Sequence, residues 1–157
     1  MNSKFFAPAN LLKVGALFID QAIKFAIMIK LPAEGMIFFD FDFLKIHLEK
    51  SINQYAAFGI KFPLVLIILL TTVAIAMLLY YENQLLKKGD RFDILLTSLI
   101  TGAAASNLLD RFAHRGVVDY FSISVYNFSW PAFNLADFII VVCLFLFVIN
   151  ELRKKTI

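Results

Sequence analysis

The sequence predicts an all-α membrane protein: four transmembrane helices carrying a small extracytoplasmic antiparallel β-sheet. Three observations lead there. Hydrophobic residues make up 61% of the 157-residue chain and charged residues 17%, against about 45–50% and about 25% in soluble domains. Four stretches approach the roughly 20 apolar residues needed to cross a hydrocarbon core of about 30 Å. Between them lie segments whose apolar and polar residues alternate with period two, the pattern of half-buried strands. The length fits one domain over residues 1–157.

The first span is expected at residues 11–29, interrupted by Asp20 and Lys24. It lacks a small-residue cleavage site and so reads as a retained helix, not a removed leader. The second, residues 62–81, is free of charge throughout. The third covers residues 94–111, ending on Asp110 and Arg111. The fourth covers residues 133–150 and carries only Asp137. Trp130-Pro131 suits its start, with the indole at the membrane interface and the proline at a first helical position. Cys143, the one cysteine, lies in the fourth span and reads as a small packing residue. Gly102, in an Ala-rich stretch of the third, reads as a site of close helix packing.

Lys4, Lys87, Lys88, Arg91, Arg153, Lys154 and Lys155 flank the spans on one side, which the positive-inside bias makes cytoplasmic. Both termini are then cytoplasmic, and residues 30–61 and 112–132 face outward. In the first outer segment Phe39, Phe41 and Phe43 alternate with Asp40 and Asp42, and Leu44, Ile46 and Leu48 alternate with Lys45, His47 and Glu49. These two runs predict a hairpin lying on the membrane, with residues 120–128 able to pair with it. A net charge of +3 is too small to point to nucleic acid.

Two aspartates carry the chemistry. An ionised side chain at membrane depth costs roughly 2.5–3.5 kcal/mol on insertion scales, so it needs a partner or a task. Asp119, just beyond the third span, and Asp137, a turn into the fourth, come to the same outer face. Two carboxyls sharing a desolvated site hold one proton between them. The ionised partner can take a proton from water while the protonated one donates to a scissile carbonyl. The alternative is that each aspartate caps a helix or meets an interfacial arginine. Asn107 and Arg111, four apart, share a helical face near the pair. Asn134 is placed either to hydrogen-bond the aspartates or to cap the fourth helix. Asp20 and Lys24, also four apart, form an i,i+4 ion pair that lowers the cost of both and reads as structural support.

Other chemistries lack their residues. There is no His-Glu-x-x-His, and His47 and His114 are too few and too separated for a zinc protease site, so no metal is expected. No Gly-x-Ser-x-Gly elbow or glycine-rich phosphate loop is present. A small proton- or cation-handling protein with an Asp20, Asp119 and Asp137 relay remains open, as does a structural subunit glued by polar residues. Against the relay, two of its three acids cluster at one face.

Taken together, Asp20-x-x-x-Lys24, Asn53 with Ala57-Phe58, Asn107-Leu108-Leu109-Asp110-Arg111, Val117-Val118-Asp119-Tyr120 and Phe133-Asn134-Leu135-Ala136-Asp137 resemble the lipoprotein signal peptidases, or signal peptidase II. The resemblance implies a bacterial inner-membrane aspartic peptidase without a cofactor, acting near the outer face. It implies Asp119 and Asp137 as the catalytic pair. Asn53, Asn107, Arg111 and Asn134 would line the substrate site, supported by Asp20 and Lys24. The implied substrate is a prolipoprotein whose lipobox cysteine already bears a diacylglyceryl group, cut just before that cysteine. Membrane lipids and globomycin-type inhibitors are implied partners, and the implied state is a monomer. Ser106 and Tyr55 stand where that family has glycine.

Overall fold

The computed structural model describes residues 3–56 and 60–156, so Ala57-Phe58 lies outside the described residues. In chain order the elements are α1 (Ser3–Lys30), β1 (Met36–Asp40), β2 (Leu44–Asn53), α2 (Leu64–Lys88), α3 (Arg91–His114), β3 (Val117–Val125), β4 (Phe128–Phe133) and α4 (Leu135–Thr156). Each helix runs past at least one end of its expected span. By length and composition three of them, α2, α3 and α4, can cross a membrane. The remaining expected span, the first, lies in α1, whose middle carries Lys13, Asp20 and Lys24.

α3 is the central helix and packs against the other three. Its run Gly102-Ala103-Ala104-Ala105 removes bulk where α1 passes. A Cβ on Gly102 would sit 2.2 Å from the backbone oxygen of Lys13, so the two backbones touch there and only glycine fits. Gly102→Val is therefore expected to destabilise the bundle by about 1–3 kcal/mol, the usual cost of overpacking. Thermal unfolding in detergent reads this, and an unchanged melting temperature would contradict the close approach.

The interior of the bundle is polar at three levels. At the first, Lys13 Nζ pairs with Glu82 of α2 at 2.8 Å, and Ser98 Oγ of α3 donates to the same carboxylate at 3.3 Å. At the second, Asp93 of α3 accepts from Asn150 Nδ2 at 2.8 Å and pairs with Lys154, tying the start of α3 to the end of α4. The third, around Lys24, underlies the site described below. The outer faces are apolar instead: Leu11, Val14, Phe18, Phe25 and Ile29 of α1 are exposed along one stripe.

The hairpin from α2 to α3 closes on Gly89, which takes the left-handed conformation (φ 76°) and donates its N–H to Leu85 O, while Asp90 caps α3. Beyond α3, Arg115 is left-handed (φ 59°) and Gly116 leads into β3. A Cβ on Gly116 would meet Asn53 O at 2.9 Å, so this turn lets β3 lie directly against the end of β2.

The sheet has the order β1-β2-β3-β4, antiparallel throughout, with Ser51 opposite Asp119 and Asn53 opposite Val117. Two expectations are corrected. The alternation at Phe39, Phe41 and Phe43 is not one strand: β1 stops at Asp40, and Phe41 and Leu44 bond to each other across a tight turn. Trp130-Pro131 does not open α4 but lies in β4. β4 is an edge strand, where a proline's missing N–H goes unused by a neighbour, so the same residue suits either context.

Candidate active site

The first four backbone N–H groups of α4 have no acceptor within the helix ladder, and the fold supplies one to each. Asn134 N donates to Asp137 Oδ2 (3.3 Å), Leu135 N to Tyr120 Oη (3.1 Å) and Ala136 N to Asp20 Oδ1 (3.0 Å). Asp137 N donates to Asn134 Oδ1 (2.9 Å), and the helix ladder then begins with Phe138 N to Asn134 O (3.2 Å). Asn134 and Asp137 thus form a reciprocal capping box. Both roles open to Asn134 are filled at once: it caps α4, and its Nδ2 donates to Asp119 Oδ1 at 2.7 Å. Asp137 is held in the first turn of α4 by the same pair of bonds.

Asp119 lies in the buried first half of β3. Its second oxygen accepts from Asn53 Nδ2 at 3.0 Å, across the β2–β3 register. Asn107 Nδ2 of α3 donates to Asp137 Oδ1 at 2.8 Å. Both carboxyls line one cavity of about 960 Å³, floored by Ile67, Leu70 and Thr71 of α2 and Phe138 and Val141 of α4. Arg111 also lines it, half-buried, with Nη1 donating only to the backbone oxygen of Asn107 at 3.3 Å among the bonds of the described residues.

Burial pushes the Asp119 carboxyl up from its ordinary 3.8 to about 6, with the charge of Asp137 adding to the rise and the bonds from Asn53 and Asn134 opposing it. A folded pKa above the unfolded one means that this group's contribution to stability is full below the unfolded pKa and lost as pH rises through the folded one. The melting temperature of the unmodified chain relative to Asp119→Asn is therefore expected to fall between about pH 4 and about pH 7. A difference constant with pH would contradict this environment. Burial likewise pushes the Tyr120 phenol up to about 12, so it stays neutral while accepting from Leu135.

Under the pair lies an ionic cluster. Asp20, Lys24 and Asp110 are 0%, 2% and 2% exposed, so their charges must be met within the protein. Lys24 Nζ contacts Asp20 Oδ2 and Asp110 Oδ2, each at 2.7 Å, and donates to Asn107 Oδ1 at 2.8 Å. Asp110 also accepts from Gln21 Nε2 (2.7 Å) and from Val118 N (3.1 Å), fixing the strand one residue before Asp119. Ser106 Oγ donates to Asp20 Oδ2 at 2.6 Å and accepts from Gln21 at 2.9 Å. The hydroxyl thus has work that a glycine at this position could not do.

The structure brings Asn53, Asn107, Asn134, Asp119 and Asp137 into one hydrogen-bonded group, with Arg111 at its rim and Asp20 and Lys24 behind. The sequence assigned no role to Asp110 or Gln21, and marked Ser106 only as standing where the family has glycine. Asp110 alone had a usable signal, an acid four residues from neither cation but inside a span. Tyr55 does not displace Asn53: its backbone N–H, which any residue there would supply, donates to Asn53 Oδ1 at 2.9 Å. Its ring is exposed under Lys61 Nζ, 5.6 Å from the centroid.

A helical bundle whose polar interior converges on two carboxyls in an apolar cavity belongs to the class of integral membrane enzymes. Residues 12–153 match the family model for signal peptidase (SPase) II, and the chain belongs to that family. A lipoprotein signal peptidase of Halothermothrix orenii is 37% identical over 125 residues, 79% of this chain and 81% of that protein. One from Cupriavidus necator is 42% identical over 66 residues, covering 42% of this chain and only 38% of the relative's length. A solved bacterial membrane enzyme superposes with TM-score 0.76 at 25% identity, covering 94% of each chain. A second superposes with TM-score 0.80 at 24% identity, covering 96% of this chain and 91% of its own, and shares the fold. Family and apolar helices together make this a membrane protein of the signal peptidase II family.

Proposed function

We propose that the chain is a single aspartic endopeptidase domain that cleaves the signal peptide from diacylglyceryl-modified prolipoproteins just before the lipidated cysteine. One observation carries the reading: two carboxyls on different elements, Asp119 buried and Asp137 partly buried, are each held by asparagine amides and open into the same apolar cavity. The lipobox peptide bond reaches the pair at the outer face while the acyl chains stay against the apolar wall. One carboxylate takes a proton from water, and the resulting hydroxyl attacks the scissile carbonyl. The protonated partner donates to the carbonyl oxygen. On collapse the cysteine nitrogen leaves with a proton, and the pair returns to holding one. Arg111, with no carboxylate bonded to it among the described residues, is free to bind a substrate carbonyl or headgroup oxygen.

α1 also crosses the membrane, as the first of four spans. Its 28 residues reach about 42 Å, Lys13, Asp20 and Lys24 in its middle face partners inside the bundle and its exposed stripe is apolar. Both termini are cytoplasmic, by the basic residues at those ends. The protein acts as a monomer, needs no cofactor, and binds globomycin-type inhibitors in the same cavity. The test is incubation of the purified protein with one prolipoprotein in lipidated and unlipidated forms, read by mass spectrometry. Signal-peptide release from the lipidated form alone is expected. Equal release from both would overturn the substrate assignment.

A further inference from the structure

We propose that Lys24 is a positioning residue that fixes which end of the Asn107 carboxamide faces Asp137, and so acts on catalysis without touching substrate. This rests on the peptidase reading above. A carboxamide has nearly the same shape either way round, but its oxygen only accepts and its NH2 only donates. An ammonium can only donate. With Lys24 Nζ 2.8 Å away, the near end of Asn107 must be its oxygen, which leaves the NH2 to meet Asp137 Oδ1 at 2.8 Å. Lys24 cannot swing away, because its other two hydrogens are taken by Asp20 and Asp110 and its side chain is 3% exposed.

The same logic orients the other two asparagines, but through the backbone. Tyr55 N–H holds Asn53 Oδ1, and Asp137 N–H holds Asn134 Oδ1, so each NH2 faces Asp119. Only at Asn107 is the main orienting donor a side chain that substitution can remove. Asn134 Nδ2 also reaches Asn107 Oδ1, at 3.2 Å, but its two hydrogens serve Asp119 and Val118 O as well. Without Lys24 the amide can turn its oxygen toward Asp137, setting two acceptors face to face at the reacting carboxyl.

The test is a double-mutant cycle between Lys24→Gln and Asn107→Ala, in an Asp20→Asn background, so that the arms carrying Lys24→Gln keep the buried cluster at its native net charge. Glutamine can show Asn107 either end of its own amide. Turnover of a diacylglyceryl prolipoprotein is expected to fall about tenfold on Lys24→Gln when Asn107 is present, and less than about twofold when it is alanine, with KM little changed. The melting temperature should fall equally in both backgrounds. The same loss of kcat in both would make Lys24 merely structural and overturn the proposal. If the Asp20→Asn reference is inactive, the cycle is run with Asp20 in place under the same criteria. Lys24→Arg, still donor-only, should retain turnover, and a loss like that of Lys24→Gln would also overturn it. An unmodified chain that releases no signal peptide would refute the peptidase reading itself, a different outcome from a cycle without coupling.

Discussion

Asp119→Asn and Asp137→Asn are each expected to lower signal-peptide release by about a thousandfold or more, the scale of a lost general acid or base. Neither amide can share a proton with its partner or take one from water. Each also faces donors on both sides: Asn53 and Asn134 point NH2 groups at Asp119, and Asn107 Nδ2 and Asn134 N point hydrogens at Asp137. An introduced NH2 must oppose one of them, at a cost of about 1–3 kcal/mol. That is smaller than the roughly 5–15 kcal/mol that holds a domain together, so both variants should remain folded. Steady-state release and thermal unfolding, measured on the same preparations, separate the two effects. Full activity in either variant removes that residue from the pair.

The largest loss of stability is expected from Asp110→Ala. It strips Lys24 of one of two buried carboxylate partners and leaves Val118 N and Gln21 Nε2 without that acceptor. Breaking a buried ion pair on one side costs about 3–5 kcal/mol, so unfolding should move down by roughly 10 °C. Release should fall as well, because Val118 holds the strand that carries Asp119. Lys45→Ala provides the contrast. Its pair with Asp40, at 3.2 Å, is about half exposed on both sides, and such pairs contribute about 0–1 kcal/mol. Unfolding curves of the two variants settle the comparison, and equal shifts would contradict the buried cluster.

The span-forming helices and the two lead aspartates were legible in the chain because both rest on one strong contrast, charge against an apolar background. Asn134 was half legible: its spacing from Asp137 allowed a cap or a bond to the pair, and only the path of β3 shows that it makes both. The cluster behind the pair was hidden for a different reason. Gln21 meets Asp110 across 89 positions and Lys13 meets Glu82 across 69, and no local pattern records such partners. β4 was missed because proline and tryptophan suit a helix start at an interface as well as an edge strand, and the choice depends on β3 being present to pair with.

In the proposed mechanism the aspartates activate water for direct attack on the peptide, with no covalent intermediate. A single turnover of the unmodified enzyme on a diacylglyceryl prolipoprotein in heavy-oxygen water tests it most directly, with both products and the enzyme read by mass spectrometry. One labelled oxygen is expected in the new carboxylate of the released signal peptide and none in the protein. Label in Asp119 or Asp137, with an unlabelled peptide, would show that an aspartate had attacked the substrate itself and would contradict it.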